Sequence, residues 1–143
     1  MSEANGARVF FDTNVLVYAQ DISAPLKKAR AQELVKNAIL ADNGVVSAQV
    51  LGEMFVTLVK KIRFDKKKAA AEIQRISEFH VVEISAELVL RAIEIQSEYE
   101  LSYWDSLIVA AAEFASCDTV WSEDLNDGQR YGEVTVKNPF AGL

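Results

Sequence analysis

Apolar positions in this chain follow two rhythms that alternate along its length. Val9-Phe10-Phe11 is a continuous apolar run, as a strand covered on both faces of a parallel sheet requires. Asn14 predicts the N-cap of a short helix from Val15 to Gln20. A loop over Asp21 to Pro25 follows, and Pro25 opens a helix to about Ala41. Ala31, Leu34, Val35 and Ala38 recur along it at helical spacing, and Asn43-Gly44 is expected to end it. Val45-Val46-Ser47 predicts a second strand. The next helix, Ala48 to Ile62, carries Val50, Leu51, Met54, Phe55, Leu58 and Ile62 on one face, with Glu53 off it beside Thr57 and Lys60. After a turn over Arg63 to Lys66, a helix from Lys67 to Phe79 aligns Ala69, Ile73 and Ile76.

Val81 to Ile84 predicts a third strand, and Ser85 caps a helix from Ala86 to Tyr99. Ser102 caps another from Tyr103 to Ala115, whose run Leu107 to Ala112 leaves almost no polar face and so predicts burial. Thr119-Val120-Trp121 is a fourth strand, Asn126-Asp127-Gly128 a turn, Val134-Thr135-Val136 a fifth strand, and Asn138-Pro139 closes the chain. Strands alternating with helices predict an α/β fold: a three-layer α/β/α sandwich around a mostly parallel, five-stranded sheet. The expected organisation is one domain over residues 1–143, with 1–7 as a flexible N-terminal extension.

Composition narrows the classes. Half the 143 residues are hydrophobic, which argues against disorder. The single cysteine, Cys117, excludes an intrachain disulfide and a cysteine metal cluster, and its small apolar neighbours predict a packed, inert thiol. His80 has no partner at metal-ligand spacing and reads as structural, and Trp104 and Trp121 read as core residues. No signal-peptide pattern and no apolar run of membrane-spanning length is present, so the expected compartment is a reducing cytoplasm, with no membrane partner. A net charge of −6 argues against a protein that binds nucleic acid through overall charge. The bases are uneven, however: Lys60, Lys61, Arg63, Lys66, Lys67 and Lys68 crowd one segment.

Four acids change the picture. Asp12 follows the first strand, Glu53 lies early in the helix after the second, Asp105 lies in the first turn of the buried helix, and Asp124 lies beyond the fourth strand. In a parallel sheet these points share the carboxyl edge, where open α/β folds bind ligands. Carboxylates gathered there repel one another unless cations intervene. Oxygen-only donors suit hard ions such as Mg2+ or Mn2+, whose bound water can attack a phosphorus. Each acid also has a plain reading. Asp12 can serve backbone donors in its turn, and Ser102 to Asp105 matches a capping box. Glu53 can pair with Thr57 or Lys60, and Asp124 can belong to its turn.

Phe11-Asp12-Thr13-Asn14-Val15-Leu16-Val17-Tyr18 resembles the opening motif of the PIN-domain nucleases, specifically the VapC-like toxins of toxin–antitoxin pairs. Val50 to Phe55 with Glu53, Trp104 to Ala112 with Asp105, and Trp121 to Gln129 with Asn138-Pro139-Phe140 resemble their later motifs, in the same order. The resemblance implies a Mg2+- or Mn2+-dependent endoribonuclease. It gives metal-site roles to Asp12, Glu53, Asp105 and Asp124, with Asp124 preferred over Asp127 as nearer the strand end, and supporting roles to Thr13, Asn14 and Ser122. It further implies a homodimer and a small antitoxin wrapping the helices between the first strand and the basic corner. Lys60, Lys61 and Arg63 are the candidates for contacting an RNA backbone. Two rivals remain at this point. An aspartyl-nucleophile phosphatase would use Asp12 but wants an acid where Asn14 stands. A non-catalytic PIN-like module would bind RNA or a partner and carry an idle acidic cluster.

Overall fold

A computed structural model describes residues 7–143. The expectation for the N-terminal extension thus falls, apart from Ala7, outside the described residues. The elements in chain order are β1 (Arg8–Phe11), α1 (Thr13–Tyr18), α2 (Pro25–Ala41), β2 (Gly44–Ser47), α3 (Ala48–Lys60), α4 (Lys66–Ile76), β3 (His80–Val82), α5 (Ala86–Tyr99), α6 (Tyr103–Phe114), β4 (Cys117–Trp121), β5 (Arg130–Tyr131) and β6 (Val134–Lys137). They form a three-layer α/β/α fold around one sheet of order β3-β2-β1-β4-β6-β5.

The sheet has six strands among the described residues, one more than the hydrophobic pattern predicts. The extra strand, β5, is two residues long and pairs antiparallel with β6, Tyr131 opposite Val134. Gly132, at φ 63°, begins the two-residue link between them. Two residues are too few to show an alternation, but a Gly-X pair between Tyr131 and Val134 is a hairpin signal. All other pairings are parallel.

β1 is the pivot. Its Phe10 and Phe11 are fully buried, as the apolar run requires. From β1 the chain moves outward through β2 and β3 on one side, then returns to lay β4 and β6 on the other. The gap between β1 and β4 is therefore the point where strand order reverses, and ligands of such sheets bind outside the strand ends there. Phe11 pairs with Trp121, so the segments after β1 and β4 leave the sheet side by side.

Several boundaries differ from expectation for local reasons. Asp12, not Asn14, caps α1: Asp12 is extended and its carboxylate accepts from the Thr13 N–H. That choice draws the helix two residues towards the strand. Asp42, in the left-handed region at φ 54°, ends α2, which frees Gly44 to open β2. β3 begins at His80, which is exposed, and stops at Val82. Cys117 is buried as expected, and burial pushes its thiol up to about 12. Trp121 packs against the core, whereas Trp104 is 62% exposed and is not a core residue. No helix among the described residues is long and apolar enough to cross a membrane.

Gly44 tests the packing at the β2 edge. A methyl group there would meet the Phe79 ring at 2.9 Å. Gly44→Ala is expected to cost about 1–3 kcal/mol through overpacking, read as a lower urea midpoint with an unchanged slope. An unchanged midpoint would show that the ring moves aside freely.

Candidate active site at the strand reversal

Four separate stretches deliver carboxylates to one edge of the sheet. Asp12 ends β1 and is held in two directions. Its backbone N–H donates to the Trp121 carbonyl at 3.0 Å, which ties it to β4. Its Oδ1 accepts from Thr13 N at 2.8 Å, and its Oδ2 accepts from the Ser122 hydroxyl at 2.7 Å and, more weakly, from Asn14 Nδ2 at 3.3 Å. Ser122 is itself fully buried and accepts from the N–H groups of Asp124 at 3.1 Å and Leu125 at 3.3 Å. One hydroxyl thus orients the Asp12 carboxylate and shapes the turn carrying Asp124.

Asn14 completes that link. Its Nδ2 donates to Asp124 Oδ2 at 3.1 Å, and its Oδ1 accepts from Glu123 N at 3.0 Å. An acid at position 14, as the phosphatase reading wants, could not donate to both carboxylates when ionised. Glu123 in turn pairs with Lys27, which stands 4.7 Å over the Tyr18 ring. The loop after β4 is therefore braced from α1 and α2.

Glu53 lies in the second turn of α3, which Ser47 caps by accepting from Val50 N at 3.2 Å. It does not pair with Thr57 or Lys60. Its Oε1 accepts from the Thr13 hydroxyl at 2.8 Å and its Oε2 from Gln49 Nε2 at 3.2 Å. Gln49 escaped the sequence reading, although its i, i+4 spacing from Glu53 is the signal that finds such pairs. Its Nε2 also lies 3.5 Å from the Trp104 carbonyl, so it spans from α3 to α6.

Asp105 enters from α6. A crossover helix runs back against the strands it joins, so α6, which precedes β4, starts at the carboxyl edge. Ser102 Oγ accepts from Asp105 N at 3.0 Å, the forward half of the capping box. Burial raises the Asp105 carboxyl, and Asp124 and Glu53 raise it further. Asp105 therefore senses the charge of two acids delivered by other segments.

Asp12 shows the strongest effect. It is 6% exposed, and its pKa is raised to about 6. Burial is the largest cause, Ser122 and Thr13 oppose it by hydrogen bonding the carboxylate, and Asp124 and Glu53 add repulsion. Among the described residues, none of the four acids forms an ion pair with lysine or arginine. The donor set fits a hard divalent cation: oxygen-only, anionic, partly buried and without a counter-charge. The shell is not drawn closed, however. Among the described residues, no three histidine, cysteine or acidic side chains are placed to hold a metal ion together. Glu53 is turned to Thr13 and Gln49, and Asp124 to Asn14.

A cleft of about 270 Å³ adjoins the acids, lined by Thr13, Asn14, Tyr18, Thr57, Lys61 and Asp124 among others. Of the three basic candidates, Lys61 lines this cleft, while Lys60 and Arg63 are exposed outside its wall.

A small α/β/α sandwich with an acidic crevice at the strand reversal is the class of protein that the fold and the site define. Residues 9–130 match the PIN domain family, and the chain belongs to it. The fold is similar to that of a toxin–antitoxin complex from Klebsiella pneumoniae, at 20% identity and a TM-score of 0.68, covering 92% of this chain and 98% of that one. It is also similar to VapC20 of Mycobacterium tuberculosis, a sarcin–ricin loop cleaving toxin, at 22% identity and a TM-score of 0.60, covering 81% and 89%. VapBC2 of Rickettsia felis, solved on a DNA fragment from its promoter, is similar at 18% identity and a TM-score of 0.65, covering 91% and 97%. Among curated proteins, none matches the sequence.

The raised Asp12 pKa has a stability consequence with a definite sign. The folded state binds this proton more tightly than the unfolded chain does. The group therefore costs nothing below pH 3.8, and stability is lost as pH rises from there through about 6. At pH 7.5 the metal-free loss is on the order of 2–3 kcal/mol. Asp12→Asn does not ionise and is expected to raise the melting temperature of the metal-free protein at pH 7.5. The gain should shrink as pH approaches 4, and a gain independent of pH would contradict the assignment.

Proposed function

We propose that this single-domain chain is a metal-dependent endoribonuclease, the toxin of a toxin–antitoxin pair acting in the cytoplasm. The observation that carries the reading is the acidic quartet itself. Asp12 and Asp105 each feel the charge of Asp124 and Glu53 at the carboxyl edge of the sheet, and among the described residues none of the four is paired with a lysine or arginine. An unneutralised cluster of this kind destabilises the fold, so its presence points to a bound cation.

Asp12 and Asp105 would hold the principal Mg2+ or Mn2+, and Glu53 and Asp124 would complete its surroundings or hold a second ion. When bound, such an ion supplies an acidified water and a positive charge facing the phosphate. The chain's own residues do the positioning. Ser122 and the Thr13 N–H fix the Asp12 carboxylate, Asn14 holds Asp124, and Thr13 with Gln49 holds Glu53. No protein side chain is needed as nucleophile. Lys61, in the cleft beside Asp124, is placed to meet a backbone phosphate.

The toxin assignment draws support from the solved structures of similar fold, which include toxin–antitoxin assemblies and a sarcin–ricin loop cleaving toxin. A small antitoxin and a second copy of the chain are the partners this reading expects.

Asp12→Asn and Asp105→Asn are each expected to abolish Mn2+-dependent RNA cleavage by the purified protein, with circular dichroism unchanged. EDTA should do the same to the wild type. Full cleavage by either variant would defeat the assignment. Independently of activity, calorimetry should detect Mn2+ binding to the wild type at millimolar metal and none to Asp12→Asn. Absence of binding to both would favour a non-catalytic PIN module.

A further inference from the structure

Gln49 lies half-buried at the start of α3, and the two ends of its amide are in opposite situations. Its Nε2 donates to Glu53 Oε2 at 3.2 Å and faces the Trp104 carbonyl at 3.5 Å. Its Oε1 is buried and has no hydrogen-bond partner among the described residues. A buried acceptor without a donor is costly, and such groups occur where a water, an ion or a reaction uses them. Reversing the amide does not cure the defect. The oxygen would then face a carboxylate and a carbonyl, and neither can donate to it.

The position that Nε2 fills is therefore lined by oxygens. One belongs to an acid of α3, the other to the residue directly before Asp105 in α6. What fits between them is positive: an amide N–H or a cation. Among the described residues, Glu53 has no lysine or arginine partner to take that place. A divalent ion beside Glu53 inverts the preference of the amide, since it repels the N–H2 end and attracts the carbonyl end. Glutamine carbonyls, like carboxylates and backbone carbonyls, are ordinary ligands of hard cations. Gln49 and Glu53 are one helical turn apart on one face, so both side chains reach the same point. The last torsion of glutamine is soft and roughly two-fold, so the exchange of ends requires no movement of the helix.

We propose that Gln49 is a further residue of the cation site, holding Glu53 through Nε2 and turning its amide on cation binding so that Oε1 joins the oxygens around the ion. The inference rests on the proposed metal dependence and adds a neutral oxygen to the four acids. It gives Gln49 no part in proton transfer or in the attack on phosphorus.

Mn2+ binding to the full chain, measured by calorimetry, tests which end of the amide matters. Gln49→Met keeps the length of the side chain, removes both polar ends and is expected to weaken binding about tenfold. Gln49→Glu offers oxygen and no donor. It is expected to bind Mn2+ at least as tightly as the wild type, yet to melt at a lower temperature without metal at pH 7.5. A residue that only braces Glu53 by donation predicts otherwise: Gln49→Glu would set two carboxylates against each other and bind as weakly as Gln49→Met. Ala48→Glu, made in the Gln49→Met background, supplies the same charge from the neighbouring exposed position and should not restore the affinity. Circular dichroism should be unchanged throughout, and Gln49→Ala takes the place of Gln49→Met if the thioether disturbs α3. Wild-type affinity in Gln49→Met overturns the inference, as does weak binding by Gln49→Glu or full rescue by Ala48→Glu. Each of these leaves the metal-dependent reading standing. No Mn2+ binding by the wild type defeats that reading, and the inference with it.

Discussion

The arrangement depends on one carboxylate held where a carboxylate is costly. Asp12 closes the central strand of the sheet, and the strand's own Phe10 and Phe11 exclude water from behind it. Ordinarily such a group would take a proton or find a cation of its own. Here it is given three hydrogen-bond donors from Thr13, Asn14 and Ser122, which lower the cost of its charge without cancelling the charge. Three more acids are then brought up to the same mouth. Polar donors orient these groups, and nothing among the described residues neutralises them. A fold selected for stability alone would place a lysine or arginine there.

The bracing is economical because neighbouring segments share it. The hydroxyl of Ser122 serves both the Asp12 carboxylate and the backbone of the turn after β4. Asn14 serves Asp12, Asp124 and the Glu123 backbone. Thr13 donates one hydrogen bond from its backbone to Asp12 and one from its side chain to Glu53. Two consecutive residues, Thr13 and Asn14, thus reach three of the four acids. Because β1 and β4 are neighbours in register, these contacts need no long side chains. Removing one short polar side chain here would loosen more than one acid, so effects of paired substitutions should not add.

Much of this could be read in the chain, and the failures have physical causes. Elements backed by long periodic runs, such as α2, α3 and α6, stand where hydrophobic spacing puts them. The acids were found because strand ends and helix starts of a parallel sheet share an edge, a rule of topology that needs no contact information. What escaped was set by local competition or by brevity. Asp12 and Asn14 are both good caps, and the first is used because its bond to Thr13 N also orients the carboxylate. β5 is too short to have a pattern. Gln49 looks like any polar helix residue until Glu53 and the Trp104 carbonyl are both seen beside it. Trp104 reads as core because an apolar type in an apolar helix is ordinarily buried, whereas its side chain in the first turn of α6 is exposed.

Exposed positions of this kind separate what the fold determines from what the rim determines. The PIN fold brings the acids together, and proteins with identities of 18–22% to this chain share it. Shared backbone at such identity says little about which substrate reaches the acids, because reach is decided by side chains around the mouth. In this chain the rim is asymmetric. Lys61 lines the cleft beside Asp124 at one end of α3, next to the basic corner of Arg63 and Lys66 to Lys68, while the chain as a whole carries a net charge of −6. Overall charge therefore opposes the nucleic-acid substrate of the proposed function, while Lys61 and the basic corner would favour it locally. Under the proposed activity the two are compatible when attraction is confined to a few backbone phosphates at the cation beside the carboxylates.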